Sequence, residues 1–346
     1  MRALYDTMNR DSTRNGRNLR WATHALATLG LALTAQIACN SDSNNGPTMG
    51  PAPPPGGSGP WEVLASMSNA RTENSAAALG GQVYAAGGFA PDRTPASSVE
   101  RYDPATDRWT TVAELPASVN HAGMAAIDRL LYVVGGYSGT SFNPVNVVQI
   151  YDPAADAWSV GTPMPGSRGA LAVAVRNGKI HAIGGVNAAG ETVGTHELYD
   201  PVANSWETLA PLPTVREHIA AAAIGNNIYV AAGRFGGQNR TTFEIYDAIS
   251  DQWSTGPPVP TARSGVAAAA LDNKFYLFGG EDLQSTNTFN ANERFDPATN
   301  RWEQLDSMPT SRHGLGAAVV GNSIYVVGGG PQAGLSFSRA NERFTP

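Results

Sequence analysis

Six tryptophans, Trp61, Trp109, Trp158, Trp206, Trp253 and Trp302, stand 48, 49, 48, 47 and 49 residues apart. Two further series keep step with them. One is a pair of small residues: Gly87-Gly88, Gly135-Gly136, Gly184-Gly185, Ala232-Gly233, Gly279-Gly280 and Gly328-Gly329. The other is an aromatic followed by Asp: Tyr102-Asp103, Tyr151-Asp152, Tyr199-Asp200, Tyr246-Asp247 and Phe295-Asp296, with Phe344-Thr345 at the last position. Three features on one period define a structural repeat, and the period constrains the architecture more than any single motif. A unit this short cannot bury its own apolar faces, so copies must stack on one another.

Each unit reads as four short strands. The first is small and apolar, as in Ala172–Val175 and Gly316–Val320. A two-residue turn follows, Gly80-Gly81, Asn177-Gly178 or Asp272-Asn273, the residue types that type I′ hairpins require. The second strand carries an aromatic three residues before the paired small residues: Tyr84, Tyr132, Tyr229, Tyr276 and Tyr325, with His181 in the third unit. The third strand ends in the aromatic–Asp pair. A turn of the Asp-Pro-Ala-Thr-Asp type then leads to Trp and the fourth strand, because Asp-Pro favours turn initiation.

The glycine pair, the Tyr-Asp and the Trp seven residues on resemble the kelch repeat over residues 61–346. That resemblance implies an all-β, six-bladed β-propeller whose blades are four-stranded sheets around a central channel. The chain ends after a third strand and starts the repeat region at Trp61-Glu62-Val63-Leu64, a fourth strand lacking its first three. The N-terminal strand is therefore expected to complete the sixth blade and close the ring, which leaves no spare edge.

The segment ahead of the repeats has a different character. Residues 1–38 place five arginines before an apolar stretch from Trp21 to Ala38, the layout of a signal peptide. Gln36-Ile37-Ala38-Cys39 resembles a bacterial lipoprotein signal, which implies lipidation of Cys39 as the first mature residue. Residues 39–60, dense in Pro, Gly, Ser and Asn, read as a tether. The expected location is the cell envelope, lipid-anchored at the outer membrane or cell surface, with periplasmic or secreted forms as alternatives. Membrane contact is then confined to the lipidated N-terminus.

Composition excludes several classes. One Cys excludes a disulfide framework and Cys-rich metal sites. A net charge of −6 gives no bulk electrostatic basis for nucleic-acid binding. No cofactor is expected. No metal is expected either, since His121, His218 and His313 fall on different units and not at zinc-ligand spacing within one element.

Candidate site residues come from register. An arginine recurs just before the first strand: Arg71, Arg168, Arg216, Arg263 and Arg312, with Val119 in the second unit and His121 two residues later. The family resemblance places this position at the channel mouth. Two readings stand side by side. The guanidinium groups bond backbone carbonyls of the next blade, or they form a ring suited to carboxylates. The second reading implies an acidic peptide or glycan ligand. The residues after the paired small residues, Phe89, Tyr137, Val186, Arg234, Glu281 and Gly330, differ between units, as a binding surface on a regular frame would. Phe142 extends that surface. Glu100, Glu197, Glu244, Glu293 and Glu342 repeat in one register, with Gln149 in the remaining unit, and read as scaffold.

These features favour a non-enzymatic, monomeric binding module for a protein or glycan. The alternative is a sugar-acid (sialic acid) mutarotase-like enzyme, since exported six-bladed kelch proteins include such enzymes. Arg216, Glu217 and His218 are its catalytic candidates. Copper chemistry of the galactose-oxidase type needs a Tyr–Cys crosslink, and Cys39 lies outside the repeats. Ubiquitin-ligase adaptors share the repeat, but export would exclude that role.

Overall fold

The second strand of every unit is buried along its length after its first residue, while the fourth is mostly exposed. Burial thus peaks at the second strand and falls toward an outer rim, while the first strand, on the inner side, is partly buried. In the computed structural model, which describes residues 59–346, this gradient belongs to six four-stranded antiparallel sheets and no helix. The segment expected to be a signal peptide, Cys39 and nearly all of the expected tether lie outside the described residues.

Blade 1 pairs Ser75–Leu79, Gln82–Ala86, Val99–Asp103 and Arg108–Val112 in chain order. Blades 2 to 5 repeat that order. The first-to-second hairpins turn where the sequence indicates: Asn177 and Gly178 both take positive φ (48° and 69°), as do Asp272 and Asn273 (50° and 57°). Blade 6 is composite. His313–Val320, Ser323–Gly330 and Asn341–Phe344 are completed by Trp61–Val63, which pairs antiparallel with the third strand in the register Trp61↔Phe344. The expected closure by the N-terminal strand is what the structure shows.

The blades pack face to face. Tyr229 and Phe243 of blade 4 meet Phe275, Leu277 and Phe295 of blade 5. Tyr276 and Phe278 of blade 5 meet Ile324, Val326 and Phe344 of blade 6, and Tyr325 and Val327 of blade 6 meet Val83 and Tyr102 of blade 1. Burying one such side chain is worth about 1.5–3 kcal/mol, so each interface contributes substantially to the ring's stability.

Three polar devices repeat at those interfaces. Each Trp Nε1 donates to a carbonyl in the preceding blade, from Trp109 to Ala65 (2.8 Å) round to Trp61 to Asp306 (2.8 Å). The Tyr102 hydroxyl donates to Asp107 Oδ1 (2.7 Å), which also accepts the Ala65 N–H across the interface. Tyr151–Asp156, Tyr199–Asn204 and Tyr246–Asp251 repeat the arrangement. Finally, the second residue of each small pair donates its N–H to the carbonyl at the recurring arginine position of the next blade, as in Gly88 to Val119 (2.9 Å) and Gly280 to Arg312 (2.8 Å).

Candidate functional site

The arginine register is settled by burial. Arg71, Arg168, Arg216, Arg263 and Arg312 are all 2% exposed or less. Each guanidinium meets the glutamate of its own third strand: Arg71–Glu100 (2.7 Å), Arg168–Glu197 (2.6 Å), Arg216–Glu244, Arg263–Glu293 (2.5 Å) and Arg312–Glu342 (2.6 Å). It also caps carbonyls of its own blade, as Arg168 does with Gly184 (3.0 Å) and Thr195 (3.0 Å). These groups are internal braces and do not line an open ring. The backbone-bonding reading holds, with the correction that the carbonyls belong to the same blade and not the next. Burial lowers each arginine's pKa, the partner glutamate opposes that, and an ion pair this buried is kept only because both members are hydrogen-bonded.

Blade 2 supplies the control. Val119 replaces the arginine, and there the glutamate is replaced by Gln149, which exchanges two hydrogen bonds with the Ala117 backbone (2.8 and 3.1 Å). A carboxylate would be buried there without its cation, so the two positions change together.

Two residues beyond each of the five arginines, and beyond Val119 in blade 2, the chain turns into the channel mouth. Glu73, His121, Ala170, His218, Gly265 and Gly314 all adopt left-handed φ between 51° and 64°. Their backbones form a closed hydrogen-bonded circle: His121 to Glu73, Ala170 to His121, His218 to Ala170, Gly265 to His218 and Gly314 to Gly265, at 2.8–3.1 Å. The Asn74 N–H completes it on the Gly314 carbonyl (3.3 Å). The channel inside is a cavity of about 180 Å³ lined by these residues and by the alanine-rich first strands.

A buried cluster sits against this circle. One half is aromatic: Phe89, Tyr137 and Phe142 surround His121 with ring centroids 5.4–6.0 Å apart. The other half is charged. Arg234 donates to Glu217 (2.9 Å), to Glu281 (2.9 Å) and to His218 Nε2 (3.0 Å), while His218 Nδ1 meets the second oxygen of Glu217. His313 and Glu73 complete it, with His313 Nε2 3.7 Å from Glu73 and 3.5 Å from Glu281.

Burial pushes the carboxyl of Glu217 up, but His218 and Arg234 outweigh it and hold it at about 2. Glu281 is likewise lowered, its burial overcome by His313 and Arg234. Glu73 differs, since burial dominates and raises its pKa. Burial also drives His121 well below its ordinary value. The cluster thus holds two carboxyls shifted below their ordinary pKa and one shifted above it.

Of the sequence candidates, the structure brings together Phe89, Tyr137, Phe142, Arg234, Glu281, His121, Glu217 and His218. It separates Arg216, which points into its blade toward Glu244 while the next two residues point to Arg234. The contiguous Arg216-Glu217-His218 triplet is therefore not one constellation. Glu73 was missed, although it shares the register of His121 and His218 and could have been found by comparing positions across blades.

The comparisons agree with the fold. The profile of the KLHDC2/KLHL20/DRC7 Kelch-repeats domain matches residues 60–233 and 161–329. Kelch-like protein 35 of Mus musculus is 43% identical over 76 residues, which is 22% of this chain and 13% of that protein. Kelch-like protein terF of Aspergillus terreus is 31% identical over 87 residues, or 22% and 19% of the two chains. The chain thus matches only a small part of these relatives' length. Among solved structures, the one titled "Structure of YjhT" superposes with a TM-score of 0.70 at 18% identity, covering 82% of this chain and 97% of that one. It supports the fold alone. With its period, its blades and its ring closure accounted for, the chain belongs to the kelch-repeat propeller family.

Proposed function

We propose that this propeller is a binding module for a protein or glycan partner, presented on the loop side of the channel mouth. The observation that carries the reading is a division of labour along the sequence. Arg, Glu, Trp and Tyr-Asp recur and are consumed inside the ring. The segments after the paired small residues (90–98, 138–147, 187–195, 235–242, 282–291 and 331–340) share no sequence and all connect the second strand of a blade to its third. A rigid frame carrying variable loops is the usual arrangement of a recognition surface. Phe235, 44% exposed and next to buried Arg234, is the large apolar side chain best placed to meet a partner. An acidic ligand is no part of this reading, because the five arginines are engaged. A binding screen against peptide and glycan arrays tests it: Phe235→Ser should weaken a hit at least about tenfold without lowering Tm. A hit indifferent to changes in every one of these segments would overturn it.

The signal pattern ending in Cys39 supports export and lipid anchoring of the module, with the tether lifting it clear of headgroups. Labelling with radioactive palmitate in a bacterial host should be lost in Cys39→Ala.

A second reading, sugar-acid mutarotation, draws support from the Glu217–Arg234–His218 constellation, which replaces the triplet containing Arg216. Anomer exchange of sialic acid followed by NMR should then accelerate with the wild-type protein and fall to background in Glu217→Gln.

A further inference from the structure

The channel-mouth cluster holds three carboxylates, Glu73, Glu217 and Glu281, but a single permanent cation, Arg234. Arg234 lies between Glu217 and Glu281 (2.9 Å to each). Buried carboxylates without a matching cation are costly, and proteins resolve the cost by protonation or by binding metal.

His313 points to the second solution. It is fully buried, and its Nδ1 lies 3.1 Å from the Gly330 carbonyl. Because a carbonyl can only accept, Nδ1 carries a proton, and in the neutral ring Nε2 then presents its lone pair. That Nε2 has no hydrogen-bond partner. It faces Glu73 Oε1 at 3.7 Å and Glu281 Oε2 at 3.5 Å, so with the imidazole neutral and both carboxyls ionised three acceptor atoms converge. Ligands bonded to a tetrahedral ion at about 2.0–2.2 Å stand roughly 3.3–3.6 Å from one another. The separations fit ligands of a shared ion better than hydrogen bonds.

We propose that Glu73, Glu281 and His313 bind one divalent cation of the zinc class at the channel mouth. One imidazole and two carboxylates form a donor set that suits this class. The surrounding shell is already built. The Gly330 carbonyl orients His313, Arg234 holds Glu281 Oε1, the Gly334 N–H reaches Glu281 Oε2 (2.8 Å), and His121 stands 3.4 Å from the second oxygen of Glu73. Such outer partners fix ligand orientation and tautomer. Entry is through the channel, which Glu73 lines. Room for the Glu73 side chain depends on Gly314, where a Cβ would lie 2.6 Å from the Glu73 carboxyl carbon. Individual sequence spacing hides the site, since its ligands come from blades 1, 5 and 6.

The test uses the full chain, stripped with chelator and titrated with Zn²⁺ by calorimetry. Stoichiometry is read by elemental analysis, and Co²⁺ is used as a spectroscopic probe of tetrahedral coordination. One ion per chain is expected, with a Tm that rises with free Zn²⁺, as any ligand selective for the native state produces. His313→Gln should weaken binding at least about 100-fold and abolish the Tm response. Glu73→Gln is the second variant and also separates the rival explanation. If Glu73 is simply protonated, its amide leaves Tm unchanged and Zn²⁺ has no effect on either protein. Absence of a stoichiometric ion, or equal affinity in wild type and Glu73→Gln, would overturn the proposal.

Discussion

The N–H of Gly329 donates to the carbonyl of Arg71 at 3.0 Å, across the seam where the two ends of the propeller meet. The same bond joins every other pair of neighbouring blades, so the seam is held like the rest of the ring. Its geometry demands glycine: φ is 87°, and a Cβ would stand 2.6 Å from the His313 carbonyl oxygen. Gly329→Ala should therefore destabilise the protein by roughly 2–3 kcal/mol in urea melts, through positive φ and backbone contact together. Removing residues 59–66 should go further and abolish the single cooperative transition, since blade 6 loses its outer strand. A sharp, unshifted transition in that deletion would contradict closure by Trp61–Val63.

Arg263 and Glu293 are both completely buried and paired at 2.5 Å. Arg263→Ala leaves a buried carboxylate alone and should cost about 3–5 kcal/mol. The double change Arg263→Val with Glu293→Gln, copying Val119 and Gln149, should recover much of that loss. A double-mutant cycle by chemical denaturation measures the coupling, and additivity would sink the brace assignment.

Blade 3 should be the acid-labile part of the ring. His181 Nδ1 meets His196 Nε2 at 2.9 Å, and burial foremost, reinforced for His181 by His196, depresses their pKa values to about 3 and about 4. Both folded values lie below the ordinary 6.5, so the unfolded chain takes up protons first. Stability is complete above about pH 6.5 and falls as pH drops toward 4, by on the order of 6 kcal/mol for the pair. The variant His181→Tyr/His196→Val reproduces Tyr84/Val99 and Tyr132/Val148 of blades 1 and 2. Its Tm should change less between pH 7 and pH 4.5 than that of the wild type.

Asp156 accepts from the Tyr151 hydroxyl (2.6 Å) and from the Ala113 N–H of the neighbouring blade (2.9 Å). Asp156→Ala leaves two donors unsatisfied and should cost about 1–3 kcal/mol, whereas Tyr151→Phe removes one bond and should cost about 0.5–1.5 kcal/mol. Equal losses would mean that the bond between blades contributes nothing.

Much of this architecture is legible in the chain because it repeats. Trp109, Tyr102 and Gly88 each do one job in every blade, so period alone exposes the blade count and the strand order. The displaced strand at Trp61 likewise announces the closure. The covariation of Val119 with Gln149 shows that the brace, too, was written in the sequence. Reading the arginines as a mouth lining failed because repetition marks a position as shared without saying which way its side chain points.

The sequence by itself determined the ring, since similar local units with two apolar faces each need a neighbour on both sides, and a closed ring supplies both to every unit. Tertiary structure alone decided the site. Glu73, Glu281 and His313 break the repeat, come from three blades, and have no common spacing. Only closure of the circle, with left-handed backbone at Glu73 and no side chain at Gly314, places their acceptor atoms together. Convergence of unlike residues at an axis depends on the summed rotation of all the blades between them, and no local pattern records that sum.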